Sequence, residues 1–228
     1  MAKWMYLWSP GGQPAETFAS RARAELAGRL AGLDASEIAL HLTERRPPRL
    51  SIIPFTRASV ALISVWGPDE GLGARAAGRL SGLPGQLFGY RVEEAVPLAR
   101  PRSWDPGEVA PGVCLLTVFR RHKGLDRQRF LAEWHGRHTP MSLGIHPMIA
   151  YVRNTVLEPL DPGAPDWDGI VTEAYPTLRD LSNPVHLFGG PLRALPNMLR
   201  VGRHIATFMD LRSMRNYLVS ERILESAS

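Results

Sequence analysis

The stretch Ala99-Arg-Pro-Arg-Ser-Trp-Asp-Pro-Gly-Glu-Val-Ala-Pro111 decides how this chain is organised. Its three prolines and one glycine oppose both a helix and a central strand, so it reads as a linker. Residues 100–111 separate an N-terminal half, 1–99, from a C-terminal half, 112–228, of similar length. Such a division prompts a search for an internal repeat.

In the first half, residues 3–8 read as a strand that ends at Ser9-Pro-Gly-Gly. Phe18, Ala22, Leu26, Leu30 and Leu33 fall at helical spacing and predict a helix over 14–33. Alternation predicts strands over 38–44 and 59–66, then a short helix over 71–80 and a strand over 90–98. The second half repeats this order. A strongly apolar strand spans 112–120, and a helix begins near Asp126 and stops at Thr139, before Pro140. Strands follow over 149–157 and 169–175, separated by the Pro/Gly/Asp-rich loop 158–168. A helical region within 177–203, broken by Pro184, Gly189-Gly190-Pro191 and Pro196, precedes a last strand over 214–223.

Strand–helix–strand–strand–helix–strand, twice over, is the order of two tandem ferredoxin-like modules in an α+β protein. Each module has an antiparallel sheet with its helices on one face. The strands are too apolar for the other face to stay wet. Two sheets packed face to face, within the chain or across a dimer, would cover it. A homodimer is expected on that ground.

The composition is that of a globular protein: 228 residues, 44% hydrophobic and 21% charged. A single cysteine, Cys114, excludes an internal disulfide framework and a Cys-rich zinc site, and its apolar strand makes it inert packing. The opening Met1-Ala-Lys-Trp-Met-Tyr-Leu-Trp turns to Ser-Pro-Gly-Gly too soon for a signal sequence. No apolar run approaches the roughly 20 residues that span a bilayer. A cytoplasmic protein without membrane contact is the expectation. The formal net charge of +5 would fit a nucleic-acid binder, but the arginines are scattered and no aromatics interleave with them. No nucleic-acid partner is therefore expected.

The chemistry concentrates in Arg120-Arg-His-Lys-Gly-Leu-Asp-Arg-Gln-Arg-Phe-Leu-Ala-Glu-Trp-His-Gly-Arg-His-Thr-Pro140. Phe130, Trp134 and His138 stand at i, i+4 and i+8, one stripe facing the sheet. His138 falls in the expected last turn, where burial lowers its pKa and the helix C-terminal dipole raises it. Balanced near neutrality, it would serve as a general base. The alternative is an imidazole bonded to a loop carbonyl that closes the helix end.

This pattern, Phe130-x-x-x-Trp134-x-x-x-His138-x-Pro140 after a strand and a Gly-containing loop, resembles the EthD family of the dimeric α/β-barrel superfamily. Tyr151-Val-Arg-Asn154, Asp168-Gly-Ile-Val-Thr-Glu173 and Val219-Ser-Glu-Arg-Ile223 extend the resemblance over residues 112–223. The resemblance implies ferredoxin-like modules packed sheet to sheet, with His138 as the family's characteristic histidine. The superfamily includes cofactor-independent cyclases, isomerases, lyases and decarboxylases, beside haem enzymes and monooxygenases. The first half has no counterpart to His138 in its helix 14–33, so it reads as a degenerate repeat that lost the site.

Around His138, the residues expected to bind substrate are Phe130, Trp134, Tyr151, Glu173 and Tyr175. Strand alternation puts Tyr151 and Asn154 on opposite faces; Tyr151 reads either as a ligand contact or as core. Val171, Glu173 and Tyr175 share a face, where a carboxylate is costly unless paired. Glu173 is a candidate to orient His138 or carry a second proton; otherwise it is a rim residue paired with an arginine. His135 and His138 form His-x-x-His, but His135 turns about 60° away on a 3.6-residue helix, so no metal site is assigned.

The expected function is that of an EthD-like, cofactor-independent enzyme of the lyase, isomerase or cyclase type. Its substrate is a small hydrophobic molecule, aromatic or polyketide-like, and its acid–base group is His138. One alternative is a haem-linked or oxygen-using member of the superfamily, with haem as cofactor. The other is a binding module without turnover.

Overall fold

The structure, a computed structural model, describes residues 1–12 and 15–224. The expected helix start at Pro14 and the last four residues lie outside that range. The first module comprises β1 (Ala2–Ser9), α1 (Ala15–Leu30), β2 (Glu37–Leu42), β3 (Ala61–Gly67), α2 (Leu72–Leu80) and β4 (Gln86–Leu98). The second begins with β5 (Val113–Phe119) and a long helix in three parts: α3 (Arg127–Leu131), a π-helical stretch (Ala132–His138) and α4 (Thr139–Ile145). It continues with β6 (Ala150–Pro159), β7 (Gly169–Tyr175), α5 (Leu178–Ser182), α6 (Pro184–Leu187), α7 (Ala194–Phe208) and β8 (Arg215–Leu224).

All eight strands pair antiparallel and close into one barrel in the order β1-β3-β2-β8-β5-β7-β6-β4. Each module contributes its strands in the same local sequence, so the repeat read from the chain is the repeat of the fold. The seams are β2 with β8 and β4 with β6. The barrel closes within the chain. The sheet face that each module leaves open is covered by the protein's own other half.

Closure explains why the strands are apolar on both faces. Every residue of β5 is buried. One face lines the barrel lumen, where Leu116 and Val118 meet Met5, Leu62, Tyr90 and Ile170. The other faces the helices. The lumen turns polar near Lys3, whose ammonium lies 2.6 Å from Glu94 and 4.1 Å over the Trp66 ring. Among the described residues, no helix is long and apolar enough to cross a membrane.

Three helix ends differ from the sequence reading. Helix α1 stops at Leu30, and Gly32 takes a left-handed φ of 67°, the conformation that commonly closes a helix. The helix of the second module does not stop before Pro140 but runs through it to Ile145. The Thr139 amide donates to the Trp134 carbonyl, five residues back, and the widened turn leaves Pro140 in the first turn of α4, where its missing N–H costs nothing. Pro196 likewise sits in the first turn of α7, which extends to Phe208.

Candidate active site

Between the β5–β7 face and the helices of the second module lies a cavity of ≈ 280 Å³. Leu115, Thr117 and Phe119 of β5, Tyr151 of β6, and Val171, Glu173 and Tyr175 of β7 form its floor. Trp134, His138, Ser142 and His146 come from the long helix and its end; Met198, Val201 and Ile205 come from α7. Ile52, Ile53 and Pro54, from the β2–β3 loop of the first module, complete the wall. Among the described residues, no arginine or lysine lines it.

The structure brings together five of the six residues singled out in sequence: Trp134, His138, Tyr151, Glu173 and Tyr175. Phe130 is the correction. It is fully buried behind the cavity, its ring 5.4 Å from Trp134 and 6.2 Å from both Phe119 and Phe208. Its position two turns before His138 puts it in the aromatic cluster under α3, where it supports Trp134 instead of touching a ligand. Gly169 permits this packing: a Cβ there would meet Phe119 at 2.5 Å and Trp134 at 2.8 Å.

His138 is buried in mid-helix, so no C-terminal dipole acts on it. Burial dominates, His204 and His146 add to it, and the pKa falls to about 3. A resting general base near neutrality is therefore not what this imidazole is. It is a neutral hydrogen-bonding group at physiological pH. Its Nε2 lies 3.2 Å from Ser142 Oγ, while Nδ1 is buried without a partner among the described residues. Its ring also lies 5.6 Å from His204, whose Nε2 is 3.6 Å from Glu133.

Glu173 moves the other way. Its residual accessible edge lies in the cavity, and burial lifts its pKa to about 7, partly offset by the Tyr175 hydroxyl that donates to it at 2.9 Å. The expected arginine partner is absent from the cavity wall. Tyr151, paired opposite Glu173 in the β6–β7 ladder, is pushed up to about 12, first by burial and then by the Glu173 charge. The cavity thus holds one carboxyl that titrates near neutrality, and around it groups that stay neutral.

The remaining sequence candidates lie elsewhere. His135 turns out of the cavity, its Nε2 3.3 Å from Thr155 Oγ1 and its ring 4.8 Å from Trp134. Among the described residues, no cluster of three potential ligands could hold a metal ion. Asn154 faces the lumen side and donates to the Ile170 carbonyl at 3.0 Å. Cys114 is buried in the lumen, its thiol pushed well up by burial. Ser142 and His146 were missed, because both lie beyond Pro140, where the helix was expected to have ended. Ser142 is i+4 from His138, a signal legible only once the helix continues.

No protein-family model and no curated protein matches the sequence, so the narrower EthD resemblance finds no support there. The fold does recur among solved structures. An anthrone oxidase-like protein superposes with a TM-score of 0.56 at 11% identity, over 100% of this chain and 94% of that one. A protein from Lactobacillus acidophilus NCFM described as a candidate monooxygenase superposes with a TM-score of 0.50 at 9% identity, over 99% of this chain and 97% of that one. At such identities the likeness carries the fold alone: a closed antiparallel barrel of two tandem ferredoxin-like modules.

Proposed function

We propose that this protein is a small-molecule enzyme that removes a proton from an activated C–H or O–H of an aromatic or polyketide-like substrate, without a cofactor. The step is of the lyase, isomerase or cyclase kind. The observation that carries this reading is Glu173: a carboxyl in an apolar cavity, unpaired with any cation among the described residues and lifted to about 7. A general base works best when its pKa lies near the operating pH. Glu173 takes the substrate proton, and the electron pair moves onto a substrate carbonyl or ring oxygen. When Ser142 donates to His138 Nε2, the imidazole proton resides on Nδ1, the nitrogen without a partner among the described residues. Ser142 thereby keeps this ring neutral and fixed in the cavity wall. Return of the proton from Glu173 to another substrate atom completes an isomerisation; expulsion of a leaving group instead completes an elimination.

The cavity also limits the substrate. A dry cavity of about 150 Å³ accepts benzene, so ≈ 280 Å³ suits a one- or two-ring compound. It does not suit haem. A haem brings two carboxylates, and the wall offers no arginine or lysine to meet them, while Ser142 engages His138 Nε2.

The bicyclic ketone 2-tetralone is a suitable probe, with an acidic C–H beside its carbonyl. In deuterated buffer, followed by proton NMR, the protein is expected to accelerate exchange at that carbon. The rate should rise with pH through about 7, as Glu173 ionises, and Glu173→Gln should abolish it. Tight binding of 2-tetralone without exchange, or exchange that survives Glu173→Gln, overturns the proposal; the first outcome would make the protein a binding module.

A further inference from the structure

Seven of the chain's 27 lysines and arginines fall in two stretches that hold no acidic residue. Residues 45–68 contain Arg45, Arg46, Arg49 and Arg57, and residues 181–209 contain Arg193, Arg200 and Arg203, with no aspartate or glutamate in either. These arginines outnumber the whole formal net charge of +5. All seven are exposed, and none forms an ion pair among the described residues.

The fold joins the two stretches at the cavity. The Ile52 amide donates to the Ser182 carbonyl at 3.3 Å, and Ile53 packs in the cluster that holds Leu187 and Met198. The exposed wall residues Ile52, Pro54 and Gly202 mark the mouth between them. Beside the arginines stand large apolar side chains left in solvent: Leu50 is 91% exposed, Leu192 93% and Leu195 61%. Leu192 follows Gly189-Gly190-Pro191, a turn with two left-handed glycines that lifts it off the surface.

We propose that this arginine–leucine rim docks the protein on the anionic phospholipid surface of a bilayer. Cationic side chains around projecting apolar ones are what such an interface binds, the charges meeting phosphates and the leucines entering the acyl boundary. A second copy fits poorly: a two-fold contact sets a patch against itself, arginine against arginine. Nucleic acid fits poorly too, since the projecting side chains are leucines and offer no ring for base stacking. The lack of a spanning helix bears only on crossing a membrane, not on lying against one. Docking stands whichever chemistry the cavity performs; it would set the cavity mouth toward a phase in which apolar substrates dissolve.

The test is sedimentation of the full-length protein with phosphatidylcholine vesicles, with and without phosphatidylglycerol, at low and high salt. The protein should pellet only with the anionic vesicles, and high salt should release it. Combining Arg45→Gln, Arg46→Gln and Arg49→Gln should weaken partition by about fivefold per arginine. Leu50→Ser with Leu192→Ser should weaken it as well, and unchanged melting temperatures would show that the variants fold. Equal binding to both vesicle types, no binding to the anionic ones, or full binding by the variants overturns the proposal. Light scattering that finds a dimer dissolved by Leu192→Ser would overturn it in favour of a second copy.

Discussion

In the first module, the outward face of β1 carries Trp4, Tyr6 and Trp8, and α1 lays Phe18, Ala22 and Leu26 among them. Two of these rings have their polar tips satisfied: Tyr6 donates to the Gly73 carbonyl at 2.5 Å, and Trp8 to the Pro84 carbonyl at 2.8 Å. In the second module, the first strand offers the smaller Leu115, Thr117 and Phe119 at that face, the helix widens into a π-turn, and a cavity opens. There, among the described residues, His138 keeps a nitrogen without a partner and Glu173 has no cation. One element order therefore packs α1 tightly on its strand in the first copy, whose own cleft of ≈ 630 Å³ lies beside α2, and in the second leaves a cavity with costly polar groups between strand and helix. Polar groups held in such a state are what a site for a ligand requires, and stability alone would not favour them.

The largest test of that contrast is Glu173→Gln, which should lower the exchange rate by about 10²–10⁴-fold. The same change should stabilise the fold at high pH. Folded Glu173 takes up its proton near 7, against 4.5 for the free group. Between those values the folded state holds the extra proton, so wild-type stability falls as pH rises through this window. Glutamine is neutral throughout. By about pH 8 the variant should be more stable by about 3 kcal/mol, and below about pH 4 by nothing. Denaturant melts at both ends of the window check this.

Truncating a filled core should hurt more than truncating a wall that already borders a void. Phe18→Ala should cost about 3–5 kcal/mol, and Leu115→Ala about 2 kcal/mol. Equal losses in chemical denaturation would break the contrast. His138 sharpens it from the acid side. Its folded pKa of about 3 lies below the usual 6.5, so wild-type stability is lost as pH falls through that range. His138→Gln should flatten the acid slope, by about 2 kcal/mol at about pH 5. Smaller still, Asp126→Ala removes the side chain that accepts the Arg129 amide at 2.8 Å. Loss of this cap should cost about 1 kcal/mol and leave exchange activity intact.

The Pro-rich stretch before Gly112 and the alternating strands made the tandem order legible, because linkers and strand periods are local properties. The helix end was not, because Pro140 forbids continuation only in an α-helix with its usual bonds, and the π-turn removes that conflict. That one local feature hid Ser142 and His146 and placed His138 at a helix end it does not occupy. The Phe130–Trp134–His138 stripe found the right helix face, but spacing alone could not say that its first member packs behind the cavity. Ile52–Pro54 were invisible for another reason: they reach the cavity from the other half of the chain, through barrel closure.

The central claim is that Glu173 is a carboxyl poised near neutrality inside the cavity of the second module. Titration of its side-chain carboxyl carbon by NMR, in glutamate-labelled protein with Glu173→Gln for assignment, tests it most directly. A midpoint near 7 is predicted. A midpoint near 4.5, the value of a free glutamate, would show a solvated or paired carboxylate and contradict the account.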